Sequence, residues 1–410
     1  MENTKPIIAI SCGDINGIGY EVILKGIADP HICELCTPVL YGNQHIAREH
    51  LKHMDEELQH MSFTVISSAK EVKQGKINLI NVYPDDTPLH IGQSTPEAGH
   101  ASFVSLSRAC DDLKQGLVNA LVTAPINKEN IQSNSFRFSG HTEYLTQLFG
   151  NGSESLMMMV SEQMKVALVC NHVPISEVAS CITSERIVDK LRTLEKALVT
   201  DFHVHKPRIA VLALNPHAGD NGLIGKEERD IIQPAIRTAY EEGILAFGPY
   251  SADGFFGSGK YAHFDAILAM YHDQGLIPFK TLDMDGVNYT AGLDIIRTSP
   301  DHGTAYDLAG KNIAGERSFV HALLMAIDVL QRRQTSAEIN ANPLPFKEKE
   351  DRPARPLPFK GLDFLNKPAG ETASQGNQPA GETASQGNQP AGETASQGNQ
   401  PAGETASENK

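Results

Sequence analysis

The chain of 410 residues lacks tryptophan, has only 6% aromatic residues, and contains no apolar run of membrane-spanning length. A transmembrane helix needs about 18 or more mostly apolar residues. The first residues, Met-Glu-Asn-Thr-Lys-Pro, lead straight into a short apolar stretch and do not resemble a secretory signal peptide. We therefore expect a globular cytoplasmic protein with no membrane partner.

Positive charge is also scarce, with 35 Lys and Arg against 50 Asp and Glu and a net charge of −15. Proteins that bind the nucleic-acid backbone use clustered Lys and Arg, so we expect no nucleic-acid partner. A small phosphorylated substrate needs only a few local cations. The acidic composition therefore leaves a phosphorylated metabolite open as the substrate.

Two common cofactor and metal signatures are missing or weak. The N-terminal block CGDINGIGYE does not match the G-x-G-x-x-G fingerprint of a Rossmann dinucleotide site. The six Cys are scattered, and several lie in apolar runs, where reduced Cys behaves as a small hydrophobic residue. Cys33 and Cys36 form a single C-x-x-C pair, whereas a structural zinc site usually needs a second pair.

The C-terminal part of the chain repeats PAGETASQGNQ with a period of 11 residues from Pro368. An 11-residue period can indicate a supercoiled helix, but these repeats contain Pro and Gly and no large apolar residue. We therefore predict that residues 368–410 are disordered and that the Pro-rich residues 336–367 form a linker. The catalytic body would then span residues 1–335.

Within this body, short Val-, Ile- and Leu-rich segments alternate with amphipathic segments at helical spacing. This alternation predicts an α/β fold whose sheet is covered by helices on both faces. The length favours two lobes with a cleft between them, roughly residues 1–125 with 285–335, and residues 126–284. In such folds ligands bind at the carboxyl ends of strands.

Three apolar segments each end in a histidine: VALVCNH at His172, AVLALNPH at His217 and AILAMYH at His272. A single histidine of this kind could simply be a polar residue at the end of a strand. Three such strand ends suit a catalytic metal site, in which distant elements supply the ligands and open positions remain for substrate.

Candidate anion-binding groups lie near these segments. Thr142 in SGHTEYL could cap a helix whose free backbone N–H groups favour a phosphate, although capping alone would also explain it. The Gly-rich loop NPHAGDNGLIGKEE also leads into a helix. Lys280 and Arg297 both follow apolar stretches, which makes them candidates for a phosphate clamp.

The blocks GDINGIGYE, TAPINKE, SGHTEYL, NPHAGDNGLIGKEE, AMYHDQGLIPFK and VNYTAGLDIIRTSPDHGTAYDLAGK occur in this order between about residues 5 and 330. Together they resemble the 4-hydroxythreonine-4-phosphate dehydrogenases of pyridoxal 5′-phosphate (vitamin B6) biosynthesis. The first block departs from the commoner family form at Ile15, Asn16 and Tyr20. The C-terminal repeats have no counterpart in the family.

The resemblance implies a homodimer with the two-lobed fold of isocitrate and isopropylmalate dehydrogenases, an active site at the subunit interface, and NAD as cofactor. It places the ligands of a divalent metal (zinc, cobalt or magnesium) on His172, His217 and His272, one of them contributed across the interface. It places substrate contacts on the following residues: His141, Thr142, Lys280, Asn288 and Arg297. The NAD-contacting residues stay unknown.

The family reaction is the NAD-dependent oxidative decarboxylation of 4-phosphooxy-L-threonine to 3-amino-2-oxopropyl phosphate. Lys280 and Asp253 are the predicted catalytic residues, and Asp273 is a further candidate for the proton acceptor. Related dehydrogenases that act on threonate or erythronate 4-phosphate, or on aromatic dihydrodiols, could use the same histidines. A metal-dependent hydrolase is an alternative from another class, because it would need the metal but no nicotinamide.

Overall fold

A mixed β-sheet of twelve strands forms the centre of the described chain, residues 4–152 and 154–343 of a computed structural model. The strands are β1 (Ile7–Ser11), β2 (Thr37–Gly42), β3 (Thr64–Ile66), β4 (Asn78–Asn81), β5 (Ala120–Thr123), β6 (Leu156–Val160), β7 (Lys165–Cys170), β8 (Ile209–Leu212), β9 (Ala246–Tyr250), β10 (Ala266–Tyr271), β11 (Val287–Ala291) and β12 (Arg297–Pro300). Their order across the sheet is β3-β4-β2-β1-β5-β12-β11-β6-β7-β10-β8-β9.

Twelve α-helices accompany the sheet in the described residues. They are α1 (Gly19–Ala28), α2 (Pro30–Leu35), α3 (Gln44–Leu51), α4 (Glu56–Gln59), α5 (Pro96–Lys114), α6 (His141–Phe149), α7 (Ile175–Cys181), α8 (Ser184–Thr200), α9 (Gln233–Glu241), α10 (Ala252–Gly257), α11 (His272–Leu282) and α12 (Arg317–Ala341). A π-helical turn, Glu228–Ile232, leads directly into α9. No helix in the described ranges is long and apolar enough to cross a membrane.

Two parallel halves meet in the middle of the sheet. Strands β3, β4, β2, β1, β5 and β12 run parallel to one another, as do β7, β10, β8 and β9. Strands β11 and β6 join these halves through antiparallel pairing. The first half with β11 comes from the chain segments predicted for one lobe, and the rest comes from the segment predicted for the other.

Burial explains why the strands read as continuous apolar runs. Every residue of β2, β5, β6 and β8 is buried, because helices cover the sheet. The whole segment TPVLYG forms β2, whereas in the apolar segment PRIAVLALN only Ile209–Leu212 forms a strand.

Two details differ from the sequence-based expectations. Helix α12 runs to Ala341, so residues 336–341 of the predicted linker are helical, and the predicted repeats lie outside the described residues. Cys170 and Cys181 are joined in a disulfide, although reduced cysteines were expected, because the end of β7 and the end of α7 lie together. Cys33 and Cys36 have free thiols.

Candidate active site

His172 and His272 lie side by side because they follow two adjacent parallel strands, β7 and β10. Their ring centroids are 5.6 Å apart. The Nδ1 of His272 lies 2.7 Å from Asp273 Oδ1, so the Nδ1–H donates to this carboxylate and Nε2 is free to bind a metal. Two of the three predicted metal ligands are therefore together within one chain.

His217 lies apart from this pair. It starts a run of left-handed residues after β8, with a φ of 53°, and its side chain is exposed. A hydrogen bond from Ser251 is the main cause of the lowered pKa of Asp253, and the nearby His217 is a smaller cause. Within the described residues, no group of three or more His, Cys, Asp or Glu could hold a metal ion.

Helix α11 begins at His272, so no strand face is shared by His272 and Gln274. The side chain of Gln274 accepts from Met270 N at 2.8 Å and donates to Ala213 O at 2.6 Å, which ties the end of β10 to the chain leaving β8. Gly275 lies inside α11, where the helix packs tightly on the sheet.

Arg297 is a buried cation without a carboxylate partner in the part of the chain that the structure describes. Its side chain is 2% exposed. The guanidinium donates to Thr123 Oγ1 at 2.7 and 3.1 Å and to Thr290 Oγ1 at 3.1 Å. Burial lowers the pKa of Arg297 to about 10, which leaves it charged at neutral pH. A buried charge of this kind is costly unless an anion joins it.

The first turn of α6 lies near Arg297. Gly140 is the N-cap residue and no side chain caps the helix, so the prediction that Thr142 is the cap is wrong; Thr142 is the second helical residue. Burial, with Arg297 and Lys128 nearby, holds the pKa of His141 well below its usual value. His141 Nε2 is buried and has no partner among the described residues.

Lys280 and Asn288 lie on α11 and β11. Lys280 Nζ forms an ion pair with Asp301 Oδ2 at 3.1 Å. Burial raises the pKa of Asp301, and the nearby charges of Lys280, His302 and His272 act against this rise. Asn288 Oδ1 is buried without a hydrogen-bond partner in the described ranges.

A cavity of about 480 Å³ connects part of this site with the surface. Its lining includes Thr142 of α6 and His172. Asn171 also lines it, and its buried Oδ1 lacks a partner among the described residues. The adjacency of Asn171 to His172 was the only sequence signal that could have identified it.

Sequence reasoning also missed the residues that support these groups. Thr123 and Thr290 read as ordinary strand residues, yet they are the hydrogen-bond acceptors of Arg297. Asp14 in the first family block accepts hydrogen bonds from Asn130 at 2.7 Å and from Tyr306 at 2.8 Å. Three segments far apart in the sequence thus meet at one carboxylate.

Comparison with known proteins finds close relatives over the same region. The family model described as pyridoxal phosphate biosynthetic protein PdxA matches residues 34–326. A 4-hydroxythreonine-4-phosphate dehydrogenase from Bacteroides thetaiotaomicron is 50% identical over 354 residues, covering 86% of this chain and 96% of the relative. A relative from Oceanobacillus iheyensis, provisionally named D-threonate 4-phosphate dehydrogenase, is 40% identical. The match covers 79% of this chain and 98% of the relative.

The fold has a solved counterpart as well. The crystal structure of a 4-hydroxythreonine-4-phosphate dehydrogenase from Klebsiella pneumoniae superposes with a TM-score of 0.69 at 33% identity, covering 80% of this chain and 99% of that one. The predicted α/β fold class and the family resemblance are both confirmed.

Proposed function

The chain belongs to the PdxA family of pyridoxal phosphate biosynthetic proteins, and from this we propose that it carries out the NAD-dependent oxidative decarboxylation of 4-phosphooxy-L-threonine in the cytoplasm. The proposed product is 3-amino-2-oxopropyl phosphate. The protein is an oxidoreductase of a family whose relatives are named as dehydrogenases of this phosphorylated substrate. Dehydrogenases use a nicotinamide cofactor in general, and NAD in particular is part of the proposal.

The buried guanidinium of Arg297 is the observation that carries this proposal. Its hydrogen bonds in the described chain go to hydroxyl groups, so its charge is left for an anion. His141 and Asn288 add buried polar atoms that have no partner in the described ranges. A substrate with a phosphate, a carboxylate, a hydroxyl and an amine can supply partners to such groups, whereas an apolar substrate cannot.

The reaction itself balances in two steps. Hydride passes from the carbon bearing the hydroxyl to the nicotinamide, and the hydroxyl proton goes to a base, which gives a β-keto acid. Carbon dioxide then leaves, the ketone oxygen takes up the electron pair, and a proton is added to the carbon bearing the amine. Oxidation must come first because only the ketone can accept those electrons.

Lys280 and Asp253 are the proposed groups for proton transfer. Lys280 faces Asp301, whose pKa is raised by burial, so the pair lies in a setting where a proton can be held or passed on. Asp253 is exposed, and hydrogen bonds from Ser251 and the Gly254 backbone lower its pKa, which makes it a weaker base. These environments favour Lys280 over Asp253 as the group that accepts the hydroxyl proton.

A divalent metal fits the donor set only when a second copy of the chain takes part. His172 and His272 would supply two ligands, and the partner's His217 would supply the third. Three imidazoles favour zinc or cobalt over magnesium. The cation would act as a Lewis acid toward the substrate hydroxyl and the carbonyl formed from it.

Exposed apolar side chains around the histidines also support a homodimer. Val173 and Ile175 follow His172, Leu223 follows the His217 loop, and Ile277 follows His272; these four side chains are 37%, 75%, 83% and 63% exposed. Exposed apolar side chains of this size are typical of surfaces that another protein covers. A homodimer would bury them and bring the partner's His217 to the His172–His272 pair.

Formation of NADH tests the proposed activity. The purified full chain, supplied with NAD and a divalent cation, should produce NADH from 4-phosphooxy-L-threonine and release carbon dioxide in equal amount. Threonate 4-phosphate is the matched control, because a hydroxyl replaces the amine. Turnover of threonate 4-phosphate alone would assign the chain to the activity named for the Oceanobacillus iheyensis relative, and phosphate release without NADH would indicate a hydrolase.

Mixed dimers test the shared metal site. We expect His217→Ala and His272→Ala each to be inactive as pure proteins. Dissociated and reassembled together, they should regain about a quarter of wild-type activity, since half of the dimers are mixed and each mixed dimer has one intact site. His172→Ala mixed with His272→Ala should stay inactive, because every site then lacks one ligand. Recovery in the second mixture would refute the assignment.

A further inference from the structure

Lys128 lies in the chain between β5 and α6 and has no role in the function proposed above. Its side chain runs beside the start of α6, where Lys128 Cε is 3.7 Å from the position that a Cβ on Gly140 would take. Its charge contributes to the lowered pKa values of His141 and His172, although burial is the larger cause for both. Lys128 is therefore an exposed residue whose charge is close enough to affect both His141 and His172.

No ion pair within 4.0 Å neutralises Lys128 in the described part of the chain. Glu143 is the nearest candidate, since its Oε2 lies 3.5 Å from the same Cβ position, but the two charged groups do not pair. Lys280 differs in this respect, because Asp301 holds its ammonium group at 3.1 Å. Of the two lysines, Lys128 has the charge that is available to a ligand.

The backbone that carries Lys128 is fixed from several directions. Asn127 Oδ1 accepts from Glu129 N at 2.9 Å and from Asn130 N at 3.1 Å, which closes a tight turn around Lys128. Asn130 donates to Asp14 at 2.7 Å. Helix α5 packs so closely on this turn that a Cβ at Gly99 would lie 2.0 Å from Asn130 O. The turn therefore fixes the backbone position from which the exposed Lys128 side chain extends.

We propose that Lys128 binds the phosphate group of the substrate, together with Arg297 and the free backbone N–H groups at the start of α6. The inference rests on the proposed function and adds a residue to it. The unpartnered Nε2 of His141, buried in the first turn of the helix, is the second observation that points to a ligand here.

Charge decides which substrate group belongs at this position. A phosphate monoester carries nearly two negative charges at neutral pH, and a carboxylate carries one. The start of α6 offers two unpaired cations and a helix N-terminus, whereas Lys280 is already partly neutralised by Asp301. The phosphate is therefore the better match for Lys128 and Arg297, and the carboxylate is left to the rest of the site.

Comparison of phosphorylated and unphosphorylated substrates tests this assignment. Lys128→Met should lower kcat/KM for 4-phosphooxy-L-threonine by about 10- to 100-fold, mostly through KM, because a charged hydrogen bond to a bound substrate is lost. For 4-hydroxy-L-threonine, which lacks the phosphate, the change should be about twofold or less. Lys128→Arg should recover part of the loss, and Lys114→Met, at an exposed helix end, should match wild type.

Inorganic phosphate provides a second readout that needs no turnover. Its dissociation constant, measured by calorimetry on the full chain, should rise about tenfold in Lys128→Met and stay unchanged in Lys114→Met. An equal loss with both substrates, or unchanged phosphate binding, would overturn the assignment. A Glu143→Gln variant that reproduced the Lys128→Met defect would show that Lys128 acts through its interaction with Glu143 and not by binding the phosphate. Wild-type protein that forms no NADH would contradict the proposed function, while the phosphate measurement would still test Lys128.

Discussion

Burial lowers the pKa of Arg297 and also that of His50, with different consequences. Arg297 has a pKa of about 10, so it stays charged at neutral pH and needs an anion. His50 has a pKa of about 4, so it is neutral at neutral pH and stabilises the fold. Its Nε2 donates to Ile15 O at 2.8 Å, and its ring stacks on Tyr20 with the ring centroids 5.0 Å apart. The sequence drew attention to Arg297 because it follows an apolar stretch, but gave no reason to notice His50.

The neutral state of His50 predicts a loss of stability in mild acid. The unfolded chain binds a proton near pH 6.5, whereas the folded chain does so only near pH 4. Stability should therefore fall as the pH decreases through this window, by about 2 kcal/mol between pH 7 and pH 5 from this group. His50→Gln should show a shallower decrease in urea unfolding at the two pH values.

The control for this measurement is His60→Gln, because His60 is an exposed histidine on the same part of the chain. It should keep the wild-type dependence on pH. Equal slopes for His50→Gln and wild type would mean that other groups cause the acid sensitivity.

At the scale of elements, helix α11 decides where His272 points. The strand before it was predicted correctly, since AILAMY forms β10, whereas no helix was predicted after it. Gly275 and Pro278 have low helix propensity, and packing against the sheet overrides that propensity. Gly275 marks the closest approach: its Cβ position lies 2.7 Å from Val166 Cγ1 and 3.0 Å from Ala269 Cβ.

Gly275→Ala should therefore push α11 away from β7 and β10. We expect it to lower the free energy of unfolding by about 1–3 kcal/mol, as overpacking does. It should also reduce kcat/KM, because His272 is the first residue of the displaced helix. Urea unfolding and steady-state kinetics measure the two effects.

Gly254→Ala is the matched control for stability, because Gly254 is also helical and nothing lies within 4 Å of its Cβ position. This variant should be as stable as wild type or slightly more stable. If Gly275→Ala behaved in the same way, the close packing of α11 would not matter for the site.

At the scale of the whole molecule, helix α12 sets the end of the described fold. It packs on β12, β5 and β11. In its last turns, Ser336 Oγ lies within 3.0 Å of His203 Nε2. The predicted boundary at residue 335 would cut the chain inside this helix.

Two truncations test where the catalytic body ends. A chain ending at Pro343 should keep the activity, oligomeric state and melting temperature of the full chain. A chain ending at Thr335 should lose about 1 kcal/mol of stability, since it loses the last helical turns and the contact with His203. Loss of activity or of the oligomer in the chain that ends at Pro343 would show that residues 344–410 take part in function.

The sequence by itself determined the local elements and the types of residue at their ends. Periodicity and burial preference are local properties, so the strands before His172 and His272 and the α/β class could be inferred without a structure. The resemblance of the sequence blocks to a known family indicated the reaction and the residues of the site. Which strand ends meet was decided by the tertiary structure, because strand order depends on packing between distant segments.

Tertiary structure alone placed β7 beside β10, and so His172 beside His272, and left His217 apart. It also buried Arg297 without a carboxylate partner in the described chain and fixed the turn that carries Lys128 near the same helix start. The physical reason is that electrostatic interactions depend on distance and burial. The sequence states neither of these for residues that lie a hundred or more positions apart.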